Sequence, residues 1–254
     1  AVGDNDGEIL LWGLDRNASI ANYQLTEKTN ELNFSPDGSY LAAAERTGVV
    51  HVWDCRNSAN TPEPLLREKH RHWPAHPRPA RTVVFSPDSR NLFSSGENGR
   101  VIQWSQWDQP RTHKSFHVES ELKEISLLPE GRSIAVTESF DLRIIEAADG
   151  HIQYKLNFSG KAGMGNLLAR SVNGHLLACA GCLDPIYVGR SHSEPALTQI
   201  PGSQPHTRRH DIISFLSDNQ TLIAAELYTV MRVRGWDLQT QQPSFQYERP
   251  DLVN

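Results

Sequence analysis

The feature that most limits how this 254-residue chain can fold is a unit that returns every 42 to 51 residues. Its clearest copies are Leu32-Asn33-Phe34-Ser35-Pro36-Asp37-Gly38, followed by Tyr40-Leu41-Ala42-Ala43, and Val83-Val84-Phe85-Ser86-Pro87-Asp88-Ser89, followed by Asn91-Leu92-Phe93-Ser94. Each leads to an alternating apolar run that ends at Trp53-Asp54 or Trp104, 16 residues beyond the turn aspartate in both. Weaker copies turn near 130, 173 and 218, and the last of them ends at Trp236-Asp237. A period of this size reports a supersecondary unit that cannot bury its apolar faces alone and so stacks on its neighbours.

Within a unit the order is apolar strand, Pro-Asp-Gly type turn, apolar strand, Gly-containing turn, then a strand with period-two alternation. Stretches such as Ile152-Gln153-Tyr154-Lys155-Leu156 are long enough for a fourth, outer strand. Four antiparallel strands per 40-odd residues, repeated and radially closed to remove exposed edges, predict an all-β fold: a β-propeller of four-stranded antiparallel blades.

The Phe-Ser-Pro-Asp-Gly turn and the Trp-Asp strand end resemble those of WD-repeat propellers, over nearly the whole chain. The resemblance implies a tetrad that ties a blade together, carried here by His76, Ser95, Asn98 and Trp104, with Asn98 where the family has Asp. His206 stands nine residues before Phe215 as His76 does before Phe85, in a blade without the matching Ser and Trp. The family's usual ring of seven blades further implies an excerpt of a longer polypeptide. Residues 3–12 read as a second turn and third strand, so the chain is expected to start inside a blade. One domain over 1–254 is expected, with a partial blade at 1–16 and five full blades at about 17–65, 66–109, 110–150, 151–192 and 193–254.

The sequence offers little to chemistry. Gly-x-Ser-x-Gly, His-Glu-x-x-His and phosphate-loop motifs are absent. Gly160-Lys161-Ala162-Gly163-Met164-Gly165 lacks a following helix to present to phosphate and reads as a connector. Cys179-Ala180-Gly181-Cys182 has CxxC spacing without a second pair, and reads as buried small residues. His70, His72 and His76 are close in sequence but have no Cys or carboxylate nearby to complete a metal site. Three Asn-x-Ser/Thr matches are what chance supplies. No catalytic, cofactor or metal residues are therefore assigned.

Composition narrows the function classes. Thirty acidic against 25 basic side chains give net charge −5, against a polybasic nucleic-acid binder. No apolar run reaches the roughly 18 residues of a membrane-spanning helix. Three cysteines make no disulfide framework, and an intracellular, cytoplasmic setting is expected. The distinctive segment is 61–81, with five Lys/Arg against two Glu, three His and Trp73. In the topology the resemblance implies, this connector opens on the rim that also carries the turns between second and third strands. Arg208 and Arg209 occupy the equivalent connector three blades on, while Glu119, Glu121 and Glu124 make another acidic.

A mixed rim suits a protein partner better than a uniform polyanion. The expectation is a non-catalytic scaffold or sensor that meets a protein partner, or a neighbouring domain of the same polypeptide, through Arg71, Trp73, Arg78, Arg208 and Arg209. The alternatives are a propeller enzyme or accessory propeller of a hydrolase, and nucleic-acid binding through the basic rim loops.

Overall fold

The computed structural model describes residues 1–15, 17–56, 70–105, 113–118, 122–137, 141–157, 167–180, 185–190, 197–203, 210–226 and 231–249. All regular elements among them are strands, and each sheet is antiparallel with its strands in chain order. The first sheet has three: β1 (Val2–Gly3), β2 (Glu8–Gly13) and β3 (Ala18–Gln24). The second comprises β4 (Thr29–Phe34), β5 (Tyr40–Glu45), β6 (Val49–Asp54) and β7 (His70–Pro74). The third comprises β8 (Ala80–Phe85), β9 (Asn91–Gly96), β10 (Arg100–Ser105) and β11 (His113–His117).

Then follow β12 (Glu124–Leu127), β13 (Ser133–Thr137), β14 (Asp141–Glu146) and β15 (Ile152–Asn157) as the fourth sheet. The fifth has β16 (Leu167–Arg170), β17 (Leu176–Ala180), β18 (Ile186–Arg190) and β19 (Thr198–Gln199). The sixth has β20 (Ile212–Phe215), β21 (Thr221–Glu226), β22 (Met231–Asp237) and β23 (Gln242–Arg249). The fold class is all-β, a β-propeller built from four-stranded antiparallel blades. The chain divides into two compact units, Ala1–Leu127 and Leu128–Asn254.

Five turns between first and second strands share one geometry. The fourth residue returns its N–H to the carbonyl of the first: Gly38 to Ser35, Ser89 to Ser86, Gly131 to Leu128, Gly174 to Ser171 and Asn219 to Leu216, at 2.8–3.0 Å. That residue has φ between 56° and 78° in all five, which explains the preference for Gly and Asn there. In three turns the leading serine reaches a side-chain oxygen two residues on: Ser35 to Asp37, Ser86 to Asp88 and Ser171 to Asn173. Turns also bond to the turn of the next sheet, Asp37 N–H to Ser89 Oγ and Asn173 N–H to Asn219 Oδ1.

The central strands are apolar at successive positions because both of their faces are covered. In β5, Leu41 and Ala43 join Ile9, Leu11 and Trp53 in one core cluster, while Ala42 and Ala44 join Val52, Phe85 and Trp104 in another. The second unit repeats the arrangement. Leu177 and Cys179 of β17 pack with Leu142 and Ile144, and Ala178 and Ala180 with Phe215 and Trp236.

The first five sheets end about one strand later than the blade spans read from the repeat. Outer strands hydrogen-bond to the third strand that precedes them, so Ala18–Gln24 completes the first sheet rather than opening the span 17–65. His70–Pro74 likewise pairs with β6 and is a strand, where the sequence suggested that the whole basic segment was a connector. The first sheet also holds a stub of its second strand, because Val2 and Gly3 pair with Leu10 and Ile9.

Candidate interaction surface

The connector between β7 and β8, residues 75–79, is fixed at both ends. The Gly48 carbonyl accepts the N–H of Ala75 at 3.1 Å and of His76 at 3.0 Å, which locks the connector to the turn between β5 and β6. Gly48 has φ 91°, and a Cβ there would run into the His76 carbonyl, so both conformation and close approach require glycine. Beyond it, Arg81 pairs with Glu97 at 2.5 Å.

His76 turns inward and is 4% exposed. Its Nε2 lies 2.9 Å from Ser94 Oγ, and Trp104 donates its indole N–H to the same oxygen at 3.1 Å. His76 Nδ1 and Asn98 Oδ1 converge over Gly96, where an added Cβ would stand 2.6 Å from both. Burial first, and the charge of Arg100 second, hold the imidazole down to about 4 against an opposing pull from Asn98. It is neutral at pH 7, so the Ser94 hydroxyl can accept from the indole and donate to Nε2.

The hydroxyl in this chain is Ser94, not Ser95. Ser94 pairs with Ile102 and lies on the face of Trp104, whereas Ser95 points to the other face and meets Thr82 Oγ1 at 2.8 Å. The period-two parity of β9 and β10 was the signal that separates the two serines.

In the second sheet the turn is held differently. Glu45, 1% exposed, accepts from the Glu27 N–H at 2.8 Å and from the Thr47 hydroxyl at 2.6 Å, and lies 3.0 Å from His51 Nε2. Burial pushes this carboxyl up, but the hydrogen bonds from Thr47, His51 and Glu27 outweigh it and leave it below the usual range. His51 is lowered by burial, with Glu45 offsetting only part. Glu226, at the end of β21 as Glu45 is at the end of β5, pairs with Arg234 of β22 at 3.0 Å. Sequence reasoning missed both glutamates, although each ends an apolar second strand.

Of the residues expected on the rim, Arg78 lies exposed in the fixed connector, while Arg71 is exposed on β7, opposite Val52. Trp73 is not displayed. It is 8% exposed and stacks on Trp104 with centroids 5.4 Å apart, because the end of β7 packs into the core between the second and third sheets. Arg208 and Arg209 lie outside the described residues, as do the 160–165 glycine segment and Cys182. Cys179 is buried, which pushes its thiol up and away from thiolate chemistry. His72 stacks on His51 at 5.9 Å, so with His76 engaged by Ser94 these two imidazoles do not converge on a common ion. Among the described residues no group of three or more His, Cys, Asp or Glu side chains is placed to hold a metal, and no helix is long and apolar enough to cross a membrane.

Sheets of four antiparallel strands, with a His–Ser–Trp chain binding connector to strands, coincide with a family match. The WD domain, G-beta repeat, matches residues 26–54 and 67–105. The matched stretches are WD repeats, and they support a WD-repeat family for the chain. The chain is 32% identical over 106 residues to Protein LST8 homolog of Drosophila melanogaster, covering 41% of the chain and 33% of that protein. It is 32% identical over 107 residues to WD repeat and SOCS box-containing protein 1 of Takifugu rubripes, covering 41% and 23%. With DNA damage-binding protein 2 of Mus musculus it shares 26% identity over 206 residues, covering 69% and 46%. The matched region thus spans less than half of each of these WD-repeat relatives.

Proposed function

We propose that this chain is a non-catalytic protein-interaction module, a scaffold or sensor that binds a protein partner or a neighbouring domain through the face where connector 75–79 meets the turn between β5 and β6. The observation that carries the reading is the pinning of that connector. With Ala75 and His76 both bonded to Gly48, and His76 anchored on Ser94, Arg78 is presented with little ordering left to lose on binding. Its surroundings are mixed in sign, as the Arg81–Glu97 pair illustrates, which favours a protein over a polyanion. An intracellular setting accords with Cys55 and Cys179 standing outside any disulfide.

The test is capture of a cross-linked partner by the tagged chain, compared with Arg78→Glu and Arg71→Glu. Loss of capture with Arg78→Glu supports the face, and full retention in both variants overturns it. Heparin retention that falls steeply with salt, and falls again on Arg78→Glu, would instead favour nucleic acid.

A further inference from the structure

The fifth sheet differs from the others in its outer strand. β19 has two residues, whereas β3, β7, β11, β15 and β23 have five to eight. Among the described residues it pairs with Tyr187 and Val188, and Arg190 at the end of β18 is exposed. Beside them, within the second unit, lies a cavity of about 360 Å³ lined by Leu176, Val188, Arg190, Thr198, Leu238 and Gln241.

The cavity follows from side-chain size. Leu176 stands opposite Arg190, and Val188 opposite Thr198, so these four share one face of the sheet. The matching row of the second sheet has Tyr40 opposite Asp54 and Val52 opposite Arg71. There Tyr40 packs on the core and carries Arg56 over its ring at 5.1 Å. Leu176 and Thr198 are smaller than Tyr40 and Arg71 at the matching positions, which accords with the open corner of the fifth sheet.

We propose that this cleft binds an extended segment of a partner protein carrying an aliphatic or aromatic side chain and, two residues away, an aspartate or glutamate. Leu176, Val188 and Leu238 give an apolar floor for the first. The exposed Arg190 guanidinium forms no ion pair with any described residue and offers a bidentate site for the second. An extended chain places residues i and i+2 on one side, about 6.5–7 Å apart, which is also the spacing of Val188 and Arg190 along β18. The Thr198 hydroxyl donates to the Val188 carbonyl at 3.2 Å, leaving its oxygen to accept from the incoming backbone. The partner class rests on the interaction reading above, but neither Arg71 nor Arg78 takes part.

The experiment is selection of a phage-displayed library of random heptapeptides on the immobilised full chain, then fluorescence polarisation with one enriched synthetic peptide. Enriched peptides are expected to share an apolar-x-acid pattern. The peptide should lose at least tenfold in affinity with Arg190→Glu, a solvent-exposed change whose folding circular dichroism checks, and with Leu176→Trp, which fills the cavity. Replacing the peptide's acid by lysine should restore binding to Arg190→Glu. Peptides without a shared acidic position, or affinity that survives Arg190→Glu, overturn the proposal. So does self-association of the chain that Arg190→Glu abolishes, which would place a second copy in the cleft. Arg78→Glu should leave peptide binding unchanged, so failure here and failure of the connector face are read separately.

Discussion

Trp104 donates its indole N–H to Ser94 at 3.1 Å, across the second and third strands of one sheet. Trp236 holds the same register on β22, opposite Leu222, but the residue two places on is Ala224 and the buried Trp236 indole N–H has no hydrogen-bond partner among the described residues. Ser94→Ala should therefore destabilise by about 2–4 kcal/mol, since it strands both Trp104 Nε1 and His76 Nε2. Ala224→Ser should stabilise by about 1 kcal/mol by supplying the missing acceptor. Urea unfolding of both variants decides it, and a destabilising Ala224→Ser would show that the site has no room for the hydroxyl.

Acid should weaken the fold through His76. Its imidazole is held down to about 4, while an unfolded histidine titrates near 6.5. Between those values the unfolded chain binds a proton that the folded chain refuses, so stability present above pH 6.5 is lost as pH falls, by about 1.4 kcal/mol per unit. Glu31 acts in the opposite sense. Its carboxyl is pushed up to about 8 by burial and then by Glu124, so its effect is to lose stability as pH rises from 4.5 towards 8. Comparison with His76→Gln isolates the histidine: the unfolding free energies should diverge by about 2 kcal/mol from pH 7 to pH 5. Parallel pH profiles would refute this assignment.

Ser89 and Asn219 hold the φ > 0 position that glycine fills in the other three turns. Ser89→Gly should raise stability by about 0.5–1 kcal/mol, because the exposed Asp37-to-Ser89 hydrogen bond at 3.3 Å is worth less than the relieved strain. A fall in melting temperature would show the inter-turn bond to be the larger effect.

Trp73→Ala should lower stability by about 3–5 kcal/mol, the usual cost of truncating a buried tryptophan. Where the variant remains folded, partner capture should match that of the parent chain. Selective loss of capture without loss of stability would return Trp73 to the binding face.

The strand order and the turns were legible because they rest on short-range chemistry: Ser-Pro-Asp-Gly at Ser35–Gly38 closes the same turn wherever it occurs, and Trp53 and Trp104 end their strands at a fixed distance from it. Sheet membership was less legible. Nothing in the residues 70–74 says whether they pair backward with Val49–Asp54 or forward with the next strand, since that depends on hydrogen bonds to a distant segment. Trp73 looked like an anchor because it stands among Arg and His, and only the ladder shows that Val50 draws it inward. Glu45 and Glu226 went unread because a lone acid at a strand end carries no motif, and partners such as Glu27 for the one and Arg234 for the other stand 18 and 8 residues away.

Each core cluster within a unit draws its residues from two successive sheets, and strands such as β5 contribute to a different cluster on each side. A substitution at Ala42 is therefore felt by the sheet that follows it and one at Ala43 by the sheet that precedes it, although the two alanines are adjacent. Tolerance to change is then shared between neighbours: adjoining repeats must co-adapt in volume, and a single repeat transplanted alone would arrive with half of each of its two interiors missing.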